Sequence, residues 1–271
     1  MKYAEGSVDS IHYDVVDLTF PWVSQAETII FHHGVGSNSD IWAQWIPVLG
    51  DRYRIVRFDM RGFGRSAAAA RSDAWTFESF SNDVILVADA AGAGRFHFVG
   101  ESIGGTVGLV LGLRHAHRLL TLTVSNAAYR GSSIQNVEQW ERVLREEGPL
   151  AWSRMMMPSR FHEGSLAPEA WAWYEAQQAS HPVDSILAGR NALVDADLGQ
   201  RLRGLDLPVL LLHGDASPFV TVEQMVELHA LLLRSEMQIF PHARHGLPFS
   251  HALECARTLR AFLQRSVRSP P

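Results

Sequence analysis

Gly100, Ser102 and Gly104 stand at G-x-S-x-G spacing inside Phe98-Val99-Gly100-Glu101-Ser102-Ile103-Gly104-Gly105. The apolar residues before them, 96–99, read as a buried strand. The small and aliphatic residues 103–114 read as a helix. A strand that becomes a helix within a few residues is the setting of a nucleophile elbow. Side chains two places either side of the serine would collide, so both positions are glycine. The strained turn lifts the hydroxyl clear of the sheet, and the helix N-terminus below it favours developing negative charge. A plain strand-turn-helix can carry the same glycines, so the rest of the chain must decide.

A serine hydroxyl is a weak nucleophile until a base takes its proton. Among thirteen histidines, His245 stands in Phe240-Pro241-His242-Ala243-Arg244-His245-Gly246, after a short strand pattern and before the last helical one. His242 and His251 are near it, but the loop position and the following Gly246 favour His245. An oxyanion needs two donors. The N–H of Ile103, next after the serine, is one candidate. The loop His33-Gly34-Val35-Gly36 offers the other, with Val35 N–H first and Gly34 beside it. Loss of one such donor typically costs ~3 kcal/mol of transition-state stabilisation.

These residues need a frame. Strand patterns fall at 11–18, 28–32, 53–58, 96–99, 119–124, 208–212 and 237–240. Helical patterns fall at 41–49 (N-capped by Ser39 or Asp40), 76–91, 103–114, 222–233 and 252–263. Alternation of this kind implies an α/β fold, a mainly parallel sheet with helices on both faces, and a site in the loops at the strands' carboxyl ends. Residues 128–203 break the alternation. They carry no buried strand pattern and read as an inserted helical cap, leaving 1–127 and 204–271 as two parts of one core domain. The cap is rich in aromatic and methionine residues. Any single one is most simply part of a helical core, but as a group they are expected to wall an apolar pocket. Trp140, Trp152, Met155, Met156, Trp171 and Tyr174, with Phe219 beyond the cap, are the candidate substrate contacts. Residues 265–271 are expected to fray.

Bulk properties narrow the function. A net charge of -5 without a basic run argues against nucleic acid as a partner. The lone cysteine, Cys255, cannot form an internal disulfide and suggests a reducing compartment. Residues 1–10 have no apolar leader, and no stretch reaches the ~18 apolar residues of a membrane span. The expectation is a cytoplasmic monomer or homodimer acting on a small molecule. His115-x-His117 lacks further ligands, so no metal or cofactor is implied.

His33-Gly34-Val35-Gly36, Asp59-Met60-Arg61-Gly62-Phe63-Gly64-Arg65-Ser66, the Ser102 elbow, His213-Gly214-Asp215 and His245-Gly246 occur in the order found in α/β-hydrolase-fold serine hydrolases. The chain resembles that family over nearly all its length outside the cap. Within it, the chain looks most like small capped lactonases and esterases, such as 3-oxoadipate enol-lactonases and serine-type N-acyl-homoserine lactonases. The resemblance implies an acyl-enzyme on Ser102, a Ser, acid, His order, and hydrolysis of an ester or lactone without cofactor. An N-acyl-homoserine lactone, or a related lactone with a hydrophobic acyl part, is the favoured substrate.

One departure stands out. The family places its acid at G-x-x-D after the seventh strand, where this chain has Ser217. The alternative place after the sixth strand holds Ser125-Asn126, also neutral. Asp215 is the favoured acid; Glu223, Ser217 and Asn126 stay open. Two other readings share the frame: a cofactor-independent oxygenase, and a non-catalytic ligand receptor with a relic triad. Perhydrolases and C–C bond hydrolases also share these loops.

Overall fold

A computed structural model describes residues 2–8, 10–23, 25–66, 75–135 and 137–266. Among these, eight strands form one sheet: β1 (Lys2–Val8), β2 (Ile11–Asp17), β3 (Thr28–His32), β4 (Arg54–Phe58), β5 (Phe96–Glu101), β6 (Leu119–Ser125), β7 (Val209–Gly214) and β8 (Ser235–Phe240). Their spatial order is β1-β2-β4-β3-β5-β6-β7-β8. The β1–β2 and β2–β4 pairs are antiparallel and every later pair is parallel. Among the described residues, ten α-helices accompany the sheet: α1 (Ile46–Leu49), α2 (Phe77–Ala90), α3 (Ile103–His115), α4 (Gln139–Glu146), α5 (Pro149–Arg160), α6 (Pro168–Ala179), α7 (Val183–Val194), α8 (Val222–Leu231), α9 (Leu247–Ser250) and α10 (Ala252–Ser266).

The central strands are apolar at successive positions because both faces are covered. Ile29 and Phe31 join Trp42, Trp45, Leu259 and Phe262 on one face. Ile30 joins Phe80, Val84, Val107 and Leu228 on the other. The same division repeats in β7, where Val209 and Leu211 enter one core and Leu210 and Leu212 the other. A period of two thus feeds two cores from one run. Each fully buried Leu, Ile or Val contributes roughly 1.5–3 kcal/mol.

Three details differ from expectation. Strand β1 lacks a strong sequence pattern and forms by hairpin pairing with β2, where Gly6 leaves room for the Tyr13 ring. The 41–49 helix is a 3-10 turn, Ser39–Trp45, followed by the short α1, and its N-cap is Asn38, whose side chain accepts from Asp40 N–H at 3.0 Å. Arg265 and Ser266 complete α10; the remainder of the tail expected to fray, 267–271, lies outside the described residues. Cys255 is buried in α10, which pushes its thiol pKa up.

Between β6 and β7, helices α4 to α7 lie over the carboxyl ends of the strands. The helices lock to one another through Trp140 against Trp152 and through Ser153 Oγ donating to Glu175 O at 2.8 Å. A bridge between Arg130 and Asp197 closes the base of the segment. No helix among the described residues is long and apolar enough to cross a membrane.

Candidate active site

Ser102 occupies the turn from β5 to α3 with φ 56° and ψ -121°. Few non-glycine residues adopt a positive φ, and the sheet and helix on either side hold this one there. Its own N–H donates to Ser125 O at 2.9 Å. A Cβ on Gly100 would run into the Gly104 carbonyl, and one on Gly104 would run into the His32 carbonyl. Both glycines of the motif are therefore close-approach positions between strand and helix.

His245 reaches this serine from the loop after β8. Its Nε2 lies 3.1 Å from Ser102 Oγ. The loop is held from both sides. Asn126, at the end of β6 with φ 48°, accepts from Gly214 N–H at 3.0 Å and donates to His245 O at 2.9 Å. From the end of α5, the Arg160 carbonyl accepts from Gly246 N–H at 2.9 Å. Phe161 fills the space a Cβ on Gly246 would need, which explains that glycine. The Phe219 ring stands edge-on to the imidazole, with centroids 4.8 Å apart.

The residue facing the other imidazole nitrogen is Ser217, whose Oγ lies 3.1 Å from Nδ1. This corrects the preference for Asp215. Asp215 follows Gly214 directly, and its backbone N–H pairs with Phe240 O, which leaves its side chain exposed. Glu223 is also exposed, in the first turn of α8. Asn126 grips the backbone of the histidine loop rather than the imidazole ring. Burial, with the nearby Arg160 charge and His213, holds the His245 pKa well below the usual histidine value. The imidazole is neutral at pH 7 and free to accept a proton at Nε2, provided Nδ1–H donates to Ser217.

Val35, Ile103 and Gly34 gather around Ser102. The first N–H groups of a helix have no intrahelical acceptor, and Ile103 is the first residue of α3. Gly34 lies so close to Ser102 that a Cβ there would come within 3.1 Å of the serine Cβ. The loop is rigid: His33 Nδ1–H donates to Gly34 O at 2.8 Å, and His33 Nε2 accepts from Met60 N–H at 2.9 Å. Burial lowers the His33 pKa, in keeping with the neutral ring that this pairing requires. The Asp59–Ser66 motif turns out to be architectural. Asp59 accepts from Ser39 N–H and Arg65 N–H, both at 2.7 Å, and Ser66 Oγ donates to Asp59 O.

A narrow, mostly apolar cavity opens onto Ser102 and His245. Trp140, Met156 and Phe219 line it as expected. Four expected contacts do not. Trp152 lies behind Trp140, over Gly36. Met155 points off the face of α5 that carries Trp152 and Met156, which are four residues apart and so stacked on one side of the helix. Trp171 packs near Phe161, by a separate surface recess, and Tyr174 sits beneath the Arg160 guanidinium.

Sequence reading missed two cationic wall residues, Arg160 and Arg190. Neither belongs to a motif. A charged residue in a methionine-rich helix, as Arg160 is, was the one available signal. Arg160 is 98 % buried, donates from Nε to Gln178 at 2.5 Å and from Nη2 to Val35 O at 2.6 Å, and has Nη1 3.8 Å from Glu101. Burial pushes the Glu101 pKa up to about 7, against the opposing pull of Arg160 and the Gly34 amide.

A family model described as alpha/beta hydrolase fold matches residues 27–252. The chain belongs to the α/β-hydrolase fold family. It is a hydrolase built on that fold. This hydrolase is 28 % identical over 247 residues to a protein named putative carbamate hydrolase RutD from a Caulobacter species, a match covering 89 % of this chain and 91 % of that one. It is 27 % identical over 204 residues to 3-oxoadipate enol-lactonase 1 of Acinetobacter baylyi, covering 73 % and 74 %. Among solved structures, the enol-lactonase from Burkholderia xenovorans LB400 shares its fold with a TM-score of 0.86 at 24 % identity, over 96 % of this chain and 100 % of that one.

Proposed function

We propose that this hydrolase cleaves a carboxylic ester or lactone through an acyl-enzyme on Ser102. The observation that carries this reading is the 3.1 Å contact between Ser102 Oγ and His245 Nε2, at a helix N-terminus, inside an apolar cavity. Ser102 Oγ attacks the carbonyl carbon while its proton passes to Nε2. The oxyanion is held by the Ile103 and Val35 N–H groups. The tetrahedral intermediate collapses, the acyl C–O bond breaks, and His245 returns the proton to the leaving oxygen. Water then attacks the acyl-enzyme with His245 as base, releasing the acid and restoring Ser102.

Ser217 holds the imidazole in the needed tautomer but brings no negative charge. The imidazolium that forms during each step is therefore stabilised less than in a triad with a carboxylate. Such a site is best suited to acyl groups with good leaving oxygens, such as enols and phenols. The curated relatives include both an enol-lactonase and a putative carbamate hydrolase, which fits activated acyl chemistry. The apolar walls from Trp140, Met156, Leu193 and Phe219 favour a substrate with a hydrophobic part, and keep an N-acyl-homoserine lactone among the candidates.

The deciding experiment is a panel of p-nitrophenyl esters of increasing chain length, an enol-lactone and acyl-homoserine lactones, together with fluorophosphonate labelling of Ser102. Turnover of an ester or lactone, lost in Ser102→Ala, supports the reading. Failure on every member, with no adduct at Ser102, overturns it.

A further inference from the structure

Two loops that meet at Ser102 come from opposite ends of the chain, 33–36 before it and 245–246 near the C-terminus. The last turn of α5 touches both. A helix leaves its final carbonyls without intrahelical donors, and in α5 the histidine loop supplies them. Pro158 O accepts from Arg244 Nη1, Ser159 O from His245 N–H at 3.4 Å, and Arg160 O from Gly246 N–H at 2.9 Å. Three successive residues of one helix end thus grip three successive residues of the loop that carries the base.

The Arg160 side chain holds the other loop. Its Nη2 donates to Val35 O at 2.6 Å, its Nε donates to Gln178 Oε1, and the guanidinium stands over the Tyr174 ring. Gln178 is held in turn by Ser153, to whose carbonyl and hydroxyl its Nε2 donates. The guanidinium plane is therefore fixed from two sides, with Glu101 as its counter-ion 3.8 Å from Nη1.

These contacts bear directly on the Val35 N–H. That group shares a planar peptide with Gly34 O, which accepts from His33 Nδ1–H at 2.8 Å. The following peptide carries Val35 O, held by Arg160, and the next carries Gly36 O, held by Gln177 Nε2 at 3.5 Å. A planar peptide can swing its N–H aside only if its neighbours turn with it. The core supplies the restraint on one side of Val35, and α5 and α6 supply it on the other. Misplacing a catalytic group by ~1 Å can cost ~10²-fold in rate.

We propose that Arg160 is a positioning residue: its side chain sets the direction of the Val35 N–H and its main chain sets the histidine loop. One helix turn then registers the oxyanion donor against the base, and the helices between β6 and β7 complete the oxyanion hole. The inference rests on the hydrolase reading above and adds to it a residue that acts through others.

The test has a kinetic arm and an exchange arm. Removing one partner of a buried ion pair leaves an uncompensated charge, so Arg160→Met is made in a Glu101→Gln background and compared with Glu101→Gln alone. The probe for the oxyanion hole is an alkyl trifluoromethyl ketone. Ser102 Oγ adds to its carbonyl carbon, the serine proton passes to His245, and the carbonyl oxygen becomes an oxyanion. In Arg160→Met, kcat on p-nitrophenyl butyrate is expected to fall about 10²-fold with KM little changed. The ketone Ki should rise at least about tenfold. Arg160→Lys in the same background, which keeps a donor for Val35 O, should recover much of that loss. A residue that only held the fold would lower the fraction of active molecules and leave Ki where it was.

The exchange arm does not depend on catalysis. Backbone amides of 34–37 should exchange with deuterium at least about fivefold faster in Arg160→Met than in the background, while those of β6 keep their rates. If the wild type hydrolyses no ester and forms no adduct at Ser102, the hydrolase reading falls, and faster exchange still supports the hold on the loop. Unchanged exchange, or an unchanged Ki in an active enzyme, overturns the proposal. Should Arg160→Met not fold, Arg160→Lys and Gln178→Leu are read by the same measures. Gln178→Leu frees the Nε side of the guanidinium, and wild-type values in both variants overturn the proposal.

Discussion

Ser217 Oγ lies 3.1 Å from His245 Nδ1, at the place where the sequence led us to expect an acid. The imidazole thus meets a neutral hydroxyl in a buried setting that lowers its pKa.

Replacing that hydroxyl by a carboxylate should change the pH profile in a defined direction. In Ser217→Asp, the added negative charge at Nδ1 stabilises the imidazolium and raises the His245 pKa. The acid limb of kcat/KM is expected to move to higher pH, and turnover of unactivated esters to rise. Loss of a charged orienter from a serine triad costs about 10⁴-fold, so a gain of about tenfold is a modest expectation. Ser217→Ala should lower kcat on activated esters by about tenfold. Unchanged pH profiles in both variants would show that Ser217 does not orient the base.

Removing the nucleophile should be far more severe. Ser102→Ala is expected to lower kcat by at least about 10³-fold while leaving the thermal midpoint within a few degrees of wild type. A variant that keeps a tenth of its activity would exclude a serine acyl-enzyme and favour the oxygenase reading.

Glu101 makes stability depend on pH. Its folded pKa is about 7, raised above the usual carboxylate value of 4.5 by burial. The folded state therefore holds the proton where the unfolded chain has lost it. Stability from this group is full below about pH 4.5 and is lost as pH rises through 7, by about 3 kcal/mol in total. Glu101→Gln should flatten that slope. Denaturant midpoints at pH 5 and pH 8 check it: the wild type should lose more on going to pH 8 than the variant does.

Asn126 joins the β7 exit to the histidine loop through hydrogen bonds to Gly214 N–H and His245 O. Asn126→Leu removes both and leaves buried backbone groups unpaired, at a cost of about 2–4 kcal/mol. A drop in kcat larger than any rise in KM is expected, since the imidazole loses its anchorage. Wild-type stability and kcat would contradict this role.

Gly100→Ala tests the elbow. The new Cβ runs into the Gly104 carbonyl, which is backbone on both sides and cannot yield cheaply. Loss of Ser102 reactivity toward fluorophosphonates is expected, with poor soluble yield; a fully reactive variant would show that the turn has slack.

Much of this protein was legible in its residues alone. Buried runs such as 28–32 and 96–99 gave the parallel sheet, because a strand covered on both faces must be apolar throughout. The G-x-S-x-G glycines located the turn, because only glycine permits the close contact of Gly100 with Gly104. His245 was singled out by its loop position and by the Gly246 that follows it. Tertiary structure decided the rest. Which neutral or acidic side chain meets Nδ1 depends on how the loop after β7 turns, and that turn points Asp215 outward and Ser217 inward. Between β6 and β7, Trp140 and Met156 reach the cavity wall, while Trp152 packs behind Trp140 and Tyr174 lies under Arg160, which only the packing of the helices decides. Arg160 and Arg190 are far apart in the chain and belong to no local pattern. Only the docking of α5 and α7 brings them to one cavity.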